Sequence, residues 1–342
     1  MRRVLLSVVV ALVAFSMSLD AQRARARRIR AHPPASGACV FPSCFPDASN
    51  TGIPAGTSLT TYTGANPVTS NGTTITGKIF SGSNCPLVIT AINVTISNSQ
   101  FDCPSANALY VDDAANYVRT SSATVYAVTI QDSEIDCGNS DATGIQEADI
   151  HAIRVEIVGC VNGFSINQNV LIEDSYLHNE GSIGADPHED GVELAFGHWT
   201  GSSYPCCAAN MTFTHNTIFG RTHGDTQNGT SAIIANGGNG NSSKDVNIIE
   251  QQNLLAGGSF TIYCDQGFAG TNFQVVNNHF STQFGALVGE SGPSDDCADE
   301  ILSGNVYHES GLPITLSAPA PQPIALFMQL FYARPNFFGM DR

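Results

Sequence analysis

The chain has 342 residues with 14 Lys and Arg against 30 Asp and Glu, and seven of the basic residues precede position 31. Residues 31–342 therefore hold seven basic and 29 acidic side chains, a formal charge of −22. Such a field repels nucleic acid and anionic membranes, which removes both as partners, and it opposes a polyanionic glycan unless a local cation offsets it.

The chain opens with "MRRVLLSVVVALVAFSMSLDA": two arginines, an apolar run from Val4 to Phe15, then small residues. That run is too short to span a bilayer, and its order is that of a secretory signal. With the arginine-rich "QRARARRIRAH" behind it, it sets residues 1–30 apart from the fold. The protein is expected to be secreted, extracellular or periplasmic. Its ten cysteines include no Cys-x-x-Cys pair, so disulfides are expected rather than thiolate metal sites.

Residues 31–84 are rich in Gly, Thr, Pro and Ser, with short alternating patches. They read as an N-terminal cap over the open edge of the first coil. From 85 to 317 one pattern recurs, including "NVTISNSQF" at 93, "AVTIQDSEI" at 127, "RVEIVGCV" at 154, "NVLIEDSYL" at 169 and "NMTFTHNTIF" at 210. Each copy has apolar residues at period two and then a small polar turn, which is a strand with one face inward. A shorter second strand succeeds each copy, for example "GFSIN" at 163, "GVELAF" at 191 and "SFTIYC" at 259. Repeated paired strands predict an all-β fold, a right-handed parallel β-helix of about eight coils. A β-sandwich would not need such pairs in register. Residues 318–342 are a Pro-rich link and an apolar segment expected to cover the last coil, with packing against a second chain as the alternative, and a monomer is expected.

Stacking predicts columns. With first strands anchored on Ile96, Ile130, Ile157, Ile172, Phe213, Val275 and Leu302, three residues on lie Ser99, Ser133, Cys160, Ser175, Asn216, Asn278 and Asn305. Small polar side chains there suit a tight turn with hydrogen bonds along the column. Seven residues past the anchor, Cys103 and Cys137 share a column on consecutive coils about 4.8 Å apart, which predicts a Cys103–Cys137 bridge.

Coil four holds "GADPHEDGVELAFGH", residues 184–198, with four carboxylates and two histidines. Five of the nine histidines lie between 178 and 223, with Arg221 among them, and function on solenoids gathers on the lateral surface and its loops. Strict alternation turns Val192, Leu194 and Phe196 inward and Gly191, Glu193 and Ala195 outward. A ligand along that outer face would meet Glu193, Ser165 one coil earlier, and Ile233 and Thr261 on later coils. Tyr204 and His223 are further candidates to contact it. Asp186, Glu189 and Asp190 are the oxygen donors that could hold Ca²⁺.

The repeat resembles the secreted pectin-lyase-like β-helix superfamily over residues 40–317. Asp186-Pro187-His188-Glu189 is similar to the Asp-Pro-His-Asp/Glu signature of mannuronan C5-epimerases and related alginate-active β-helices. The resemblance implies active-site roles for His188 and Asp186 on the C5 proton of a uronate, with Arg221 placed by spacing as the carboxylate-neutralising cation. Where that family has a Tyr, this chain has Ile183.

Removing a C5 proton needs a cation or donor on the uronate carboxylate, a base at the proton, and an acid at the leaving oxygen or opposite face. Arg221 or Ca²⁺ would serve the carboxylate, His188 the proton, and Tyr204 or His223 the acid. The leading expectation is thus a polysaccharide lyase or epimerase. Two alternatives stand beside it. Glu193 with Asp186 or Asp190 would suit glycoside hydrolysis of a neutral glycan, and the acids could instead be Ca²⁺ ligands of a non-catalytic binding solenoid.

Overall fold

The computed structural model describes residues 39–104, 106–112, 126–181, 188–194, 208–221, 229–235, 246–264, 272–285, 287–295, 297 and 300–316. The expected signal, the arginine-rich segment and the apolar C-terminal segment lie outside them. Among the described residues no helix is long and apolar enough to cross a membrane. The strands form a parallel β-helix whose turns contribute to three ladders.

Ladder A stacks Ile75, Ile96, Ile130, Ala152, Ile172, Phe213, Glu250, Val275 and Leu302 in register, each pairing parallel with the next. Ladder B stacks Phe80, Phe101, Ile135, Ile157, Leu177, Ile218, Leu255, Phe280 and Tyr307. Both columns are buried up to the last coil, where Leu302 is part-buried and Tyr307 exposed, and Phe80, Phe101, Ile96 and Ile130 are fully buried. β-Branched and aromatic side chains fill these columns because each packs against its counterpart one rung away. Phe80 and Phe101 show this directly, their rings stacked 4.3 Å apart.

The corner between ladders A and B is the most regular part of the helix. One left-handed residue starts it on successive coils: Asn98, Asp132, Arg154, Asp174, His215, Gln252 and Asn277 have φ between 49° and 58°. The next residue supplies the polar column. Asn216, Asn253 and Asn278 each donate a backbone N–H to the side-chain oxygen of the next Asn in the column at 2.9 Å, ending on Asn305. Their amide nitrogens turn back to carbonyls of Ile172, Phe213 and Glu250. Arg154 is unusual at a left-handed position, and both Arg154 and His215 are tied to the aspartate one rung away in the same column. Arg154 makes two bonds to Asp132, at 2.6 and 2.9 Å, and His215 Nδ1 lies 2.6 Å from Asp174 Oδ1.

Three expectations change here. Coil three is anchored on Ala152, because Ile157 pairs with Ile135 and Leu177 in ladder B. The polar-column position on that coil is therefore Val155, whose N–H is taken by Ser175 Oγ at 3.0 Å, and not Cys160. Ladder pairing also begins at Thr60, inside the segment read as a cap, since Thr61 pairs with Ile79 and Ile75 with Ile96.

The Cys103–Cys137 bridge is not formed. Cys103 bonds to Cys85 and Cys137 to Cys160, beside Cys39–Cys44 and Cys264–Cys297. The two cysteines do neighbour each other, with Cys103 N–H donating to Asp136 O. Each, however, has a second cysteine on its other side. Four disulfides among the described residues accord with an oxidising compartment.

Candidate functional site

Ladder C comes after ladder B on each coil and carries an outward column: Val88, Tyr110, Gln146, Ser165, Glu193, Ile234, Tyr263 and Asp295. The expected outward neighbours of Glu193 differ on the later coils. Ile233 and Thr261 are fully buried, and the Thr261 hydroxyl donates to Gly257 O at 2.8 Å. Gly191 also faces inward, since a Cβ there would run into Ile218 Cγ2. The strand bends at its start, so two successive residues face the core (Gly191 with Val192, Ala232 with Ile233, Thr261 with Ile262). Strict alternation has no place for that bend, and the outward column passes through Ile234 rather than Ile233 and through Tyr263 rather than Thr261.

Glu193 is half-buried and anchored from coil three's ladder C segment. Ser165 Oγ and Asn162 Nδ2 both donate to its Oε2 at 2.9 Å. Asp190, three residues earlier on the same strand, accepts from Ser231 Oγ at 2.5 Å and is almost fully covered. Burial pushes its carboxyl well above the usual carboxylate range; the Ser231 bond opposes this, and the Glu193 and Glu189 charges add to it. The Tyr263 hydroxyl is pushed up to about 12, first by burial and then by the Asp295 charge. Ladder C thus presents one anchored acidic side chain, Glu193, with a buried carboxyl on its own strand and a Tyr hydroxyl two rungs on.

Beneath the start of this strand lies a carboxyl that composition gave no reason to single out. Glu180 is 4 % exposed, and neither carboxylate oxygen has a hydrogen-bond partner among the described residues. Burial, then the charges of Asp190 and Glu189, hold it well above the ordinary range. Its backbone N–H donates to Arg221 O at 2.7 Å. The Arg221 guanidinium carbon sits 4.9 Å over the Phe284 ring. His188 is exposed just ahead of Glu189, which is buried. Asp186, Tyr204, His223 and Ile183 lie outside the described residues.

The structure therefore joins Ser165 to Glu193 directly, groups Glu189, Asp190 and Glu180 at one corner, and brings the Arg221 backbone to that corner. Among the described residues, the donor atoms of Glu189 and Asp190 do not gather with a third ligand. The one such group of three among them is Cys264, Cys297 and Glu300, where the two sulfurs are bonded to each other.

A second polar group escaped the sequence reading. On the outer face of ladder B, Glu134 and Glu156 are register partners, with Asp102 and Asp136 paired beside them. His178 Nε2 lies 3.0 Å from Glu156 Oε1, and the His178 ring stacks on Tyr176 at 4.0 Å. Burial, then the charges of Glu156 and Asp136, raise Glu134 to about 7. The signal was present across the coils rather than along them: these acids come after the polar column at fixed offsets in "SEID" and "VEIV".

Neither a protein-family model nor a curated protein matches the chain. Among solved structures, a point mutant of the periplasmic alginate epimerase AlgG is similar at 13% identity, over 73% of this chain and 64% of that one, with a TM-score of 0.31. The chain thus spans less than two-thirds of that structure's length.

Proposed function

We propose that the chain is a secreted carbohydrate-active β-helix protein that hydrolyses glycosidic bonds of a neutral glycan laid along ladder C. The carrying observation is that Asp190 and Glu193 share one strand in unlike settings, the first buried with its carboxyl raised by that burial, the second held by two donors. Two carboxyl groups in such unlike surroundings can divide acid and base work. Asp190 gives its proton to the departing oxygen, and Glu193 acts as the carboxylate at the sugar carbon or its attacking water. Asn162 and Ser165 position Glu193.

Charge supports a neutral substrate. The described strands of ladder C contain no Lys or Arg, and the chain beyond residue 30 carries −22. A uronate chain would meet repulsion there. Reducing-sugar release from a panel of neutral glycans, lost in Glu193→Gln, tests the reading. No release from any member would overturn it.

A second reading, C5-proton abstraction on a uronate, is favoured by the exposed position of His188 next to Glu189. Its readout is different: an unsaturated uronate product, or C5 inversion, lost in His188→Ala and retained in Glu193→Gln.

A further inference from the structure

His279 begins the ladder B strand His279–Ser281, and His308 comes directly after the next rung's strand, Val306–Tyr307. Their Nδ1 atoms face each other at 3.2 Å. Two imidazole nitrogens bound side by side to one metal ion, by bonds of about 2.0–2.1 Å, lie about 2.8–3.4 Å apart for angles between square and tetrahedral. We propose that His279 and His308 form a binding site for a divalent transition-metal ion of the imidazole-preferring kind, such as Zn²⁺, through their Nδ1 atoms with water completing the coordination.

The surroundings suit this role. The other ring contacts of the pair are aromatic: Phe45 lies 5.1 Å from His279 and 5.5 Å from His308, and Phe41 lies 5.4 Å from His279. These rings fix the imidazole planes without competing for Nδ1. Glu309 is next after His308 and accepts from Ser281 Oγ at 2.5 Å and Thr282 N–H at 2.9 Å, so an anchored anion adjoins the pair. His215 packs on the same Phe45 ring but is excluded as a ligand, because its two nitrogens engage Asp174 and Cys44 O. The site lies away from ladder C and stands independently of the glycan reading.

Titration of the full chain with zinc chloride by calorimetry tests it. One equivalent should bind, and His308→Ala and His279→Ala should each weaken binding at least tenfold. His151→Ala, which removes a histidine paired with Glu173 on another coil, should leave it unchanged. His308 is exposed, so His308→Ala retains the fold even if His279→Ala does not. No zinc binding by the parent chain, or less than a tenfold loss in His308→Ala, overturns the proposal and leaves the pair as a histidine–histidine hydrogen bond.

Discussion

Ser165 and Glu193 are register partners on adjacent rungs of ladder C, and the serine hydroxyl donates to the glutamate carboxylate at 2.9 Å. If Glu193 carries the chemistry, Glu193→Gln should lower kcat by about 10²–10⁴-fold, the usual cost of losing an acid–base group. Ser165→Ala should lower it by about tenfold, because a hydrogen bond to a charged group is worth about 1.5–3 kcal/mol and Asn162 remains. Both variants should melt within a few degrees of the parent. A Ser165→Ala enzyme with parental kcat would remove Ser165 from the positioning of Glu193.

The ladder B acids offer the rival location. Glu134→Gln should leave glycan hydrolysis unchanged if ladder C is the site, although Glu134 is the described carboxyl brought to about 7. Abolished activity in Glu134→Gln with parental activity in Glu193→Gln would move the catalytic centre to ladder B.

Much of this arrangement was legible because inward columns repeat themselves: Ile96, Ile130 and Ile172 anchor three coils by period two alone. Ala152 was not legible. Alanine is too small to mark an anchor, while Val155 and Ile157 one strand later imitate the same period, so coil three slipped by one strand. Glu193 emerged on the correct face because it lies past the ladder C bend. Thr261 and Ile233 did not, because the bend places two neighbours inward and an alternating pattern can place only one. The Ser165–Glu193 contact depends on register between coils, and the Glu180 corner on which backbones close over it. Neither is written in a local pattern.

The asparagine column should dominate the stability of the C-terminal coils. Asn253 is fully buried, accepts from Asn216 N–H, and donates its amide to Phe213 O and Asn278 Oδ1. Asn253→Ala strands buried backbone groups and should cost about 3 kcal/mol in urea unfolding. Asn247, whose bonds to Asn210 and Asn272 are exposed, should cost only about 1 kcal/mol on the same change, most of it from placing Ala at a φ of 58°. Equal costs at the two positions would refute the column's role.

Disulfide connectivity is directly checkable. Non-reducing peptide mapping should recover Cys85 joined to Cys103 and Cys137 joined to Cys160. Breaking one bridge should then leave the other intact: Cys85→Ser should free only Cys103. A recovered Cys103–Cys137 peptide would restore the pairing expected from column position.

Glu250 ties stability to pH. It occupies an inward position of ladder A between Phe213 and Val275, is 1 % exposed, and has one carboxylate oxygen without a hydrogen-bond partner among the described residues. Burial, and then the Glu300 charge, raise it from 4.5 to about 8. The folded state therefore binds a proton that the unfolded chain has already lost between pH 4.5 and about 8. Stability must fall as pH rises through that window and level off above it. Glu134, Glu180 and Asp190 are raised as well and act in the same direction. The urea midpoint should thus be higher at about pH 5 than at about pH 8, and Glu250→Gln, which keeps the shape without the charge, should shrink that difference. A Glu250→Gln variant as pH-sensitive as the parent would show that Glu250 does not hold its proton in the folded state.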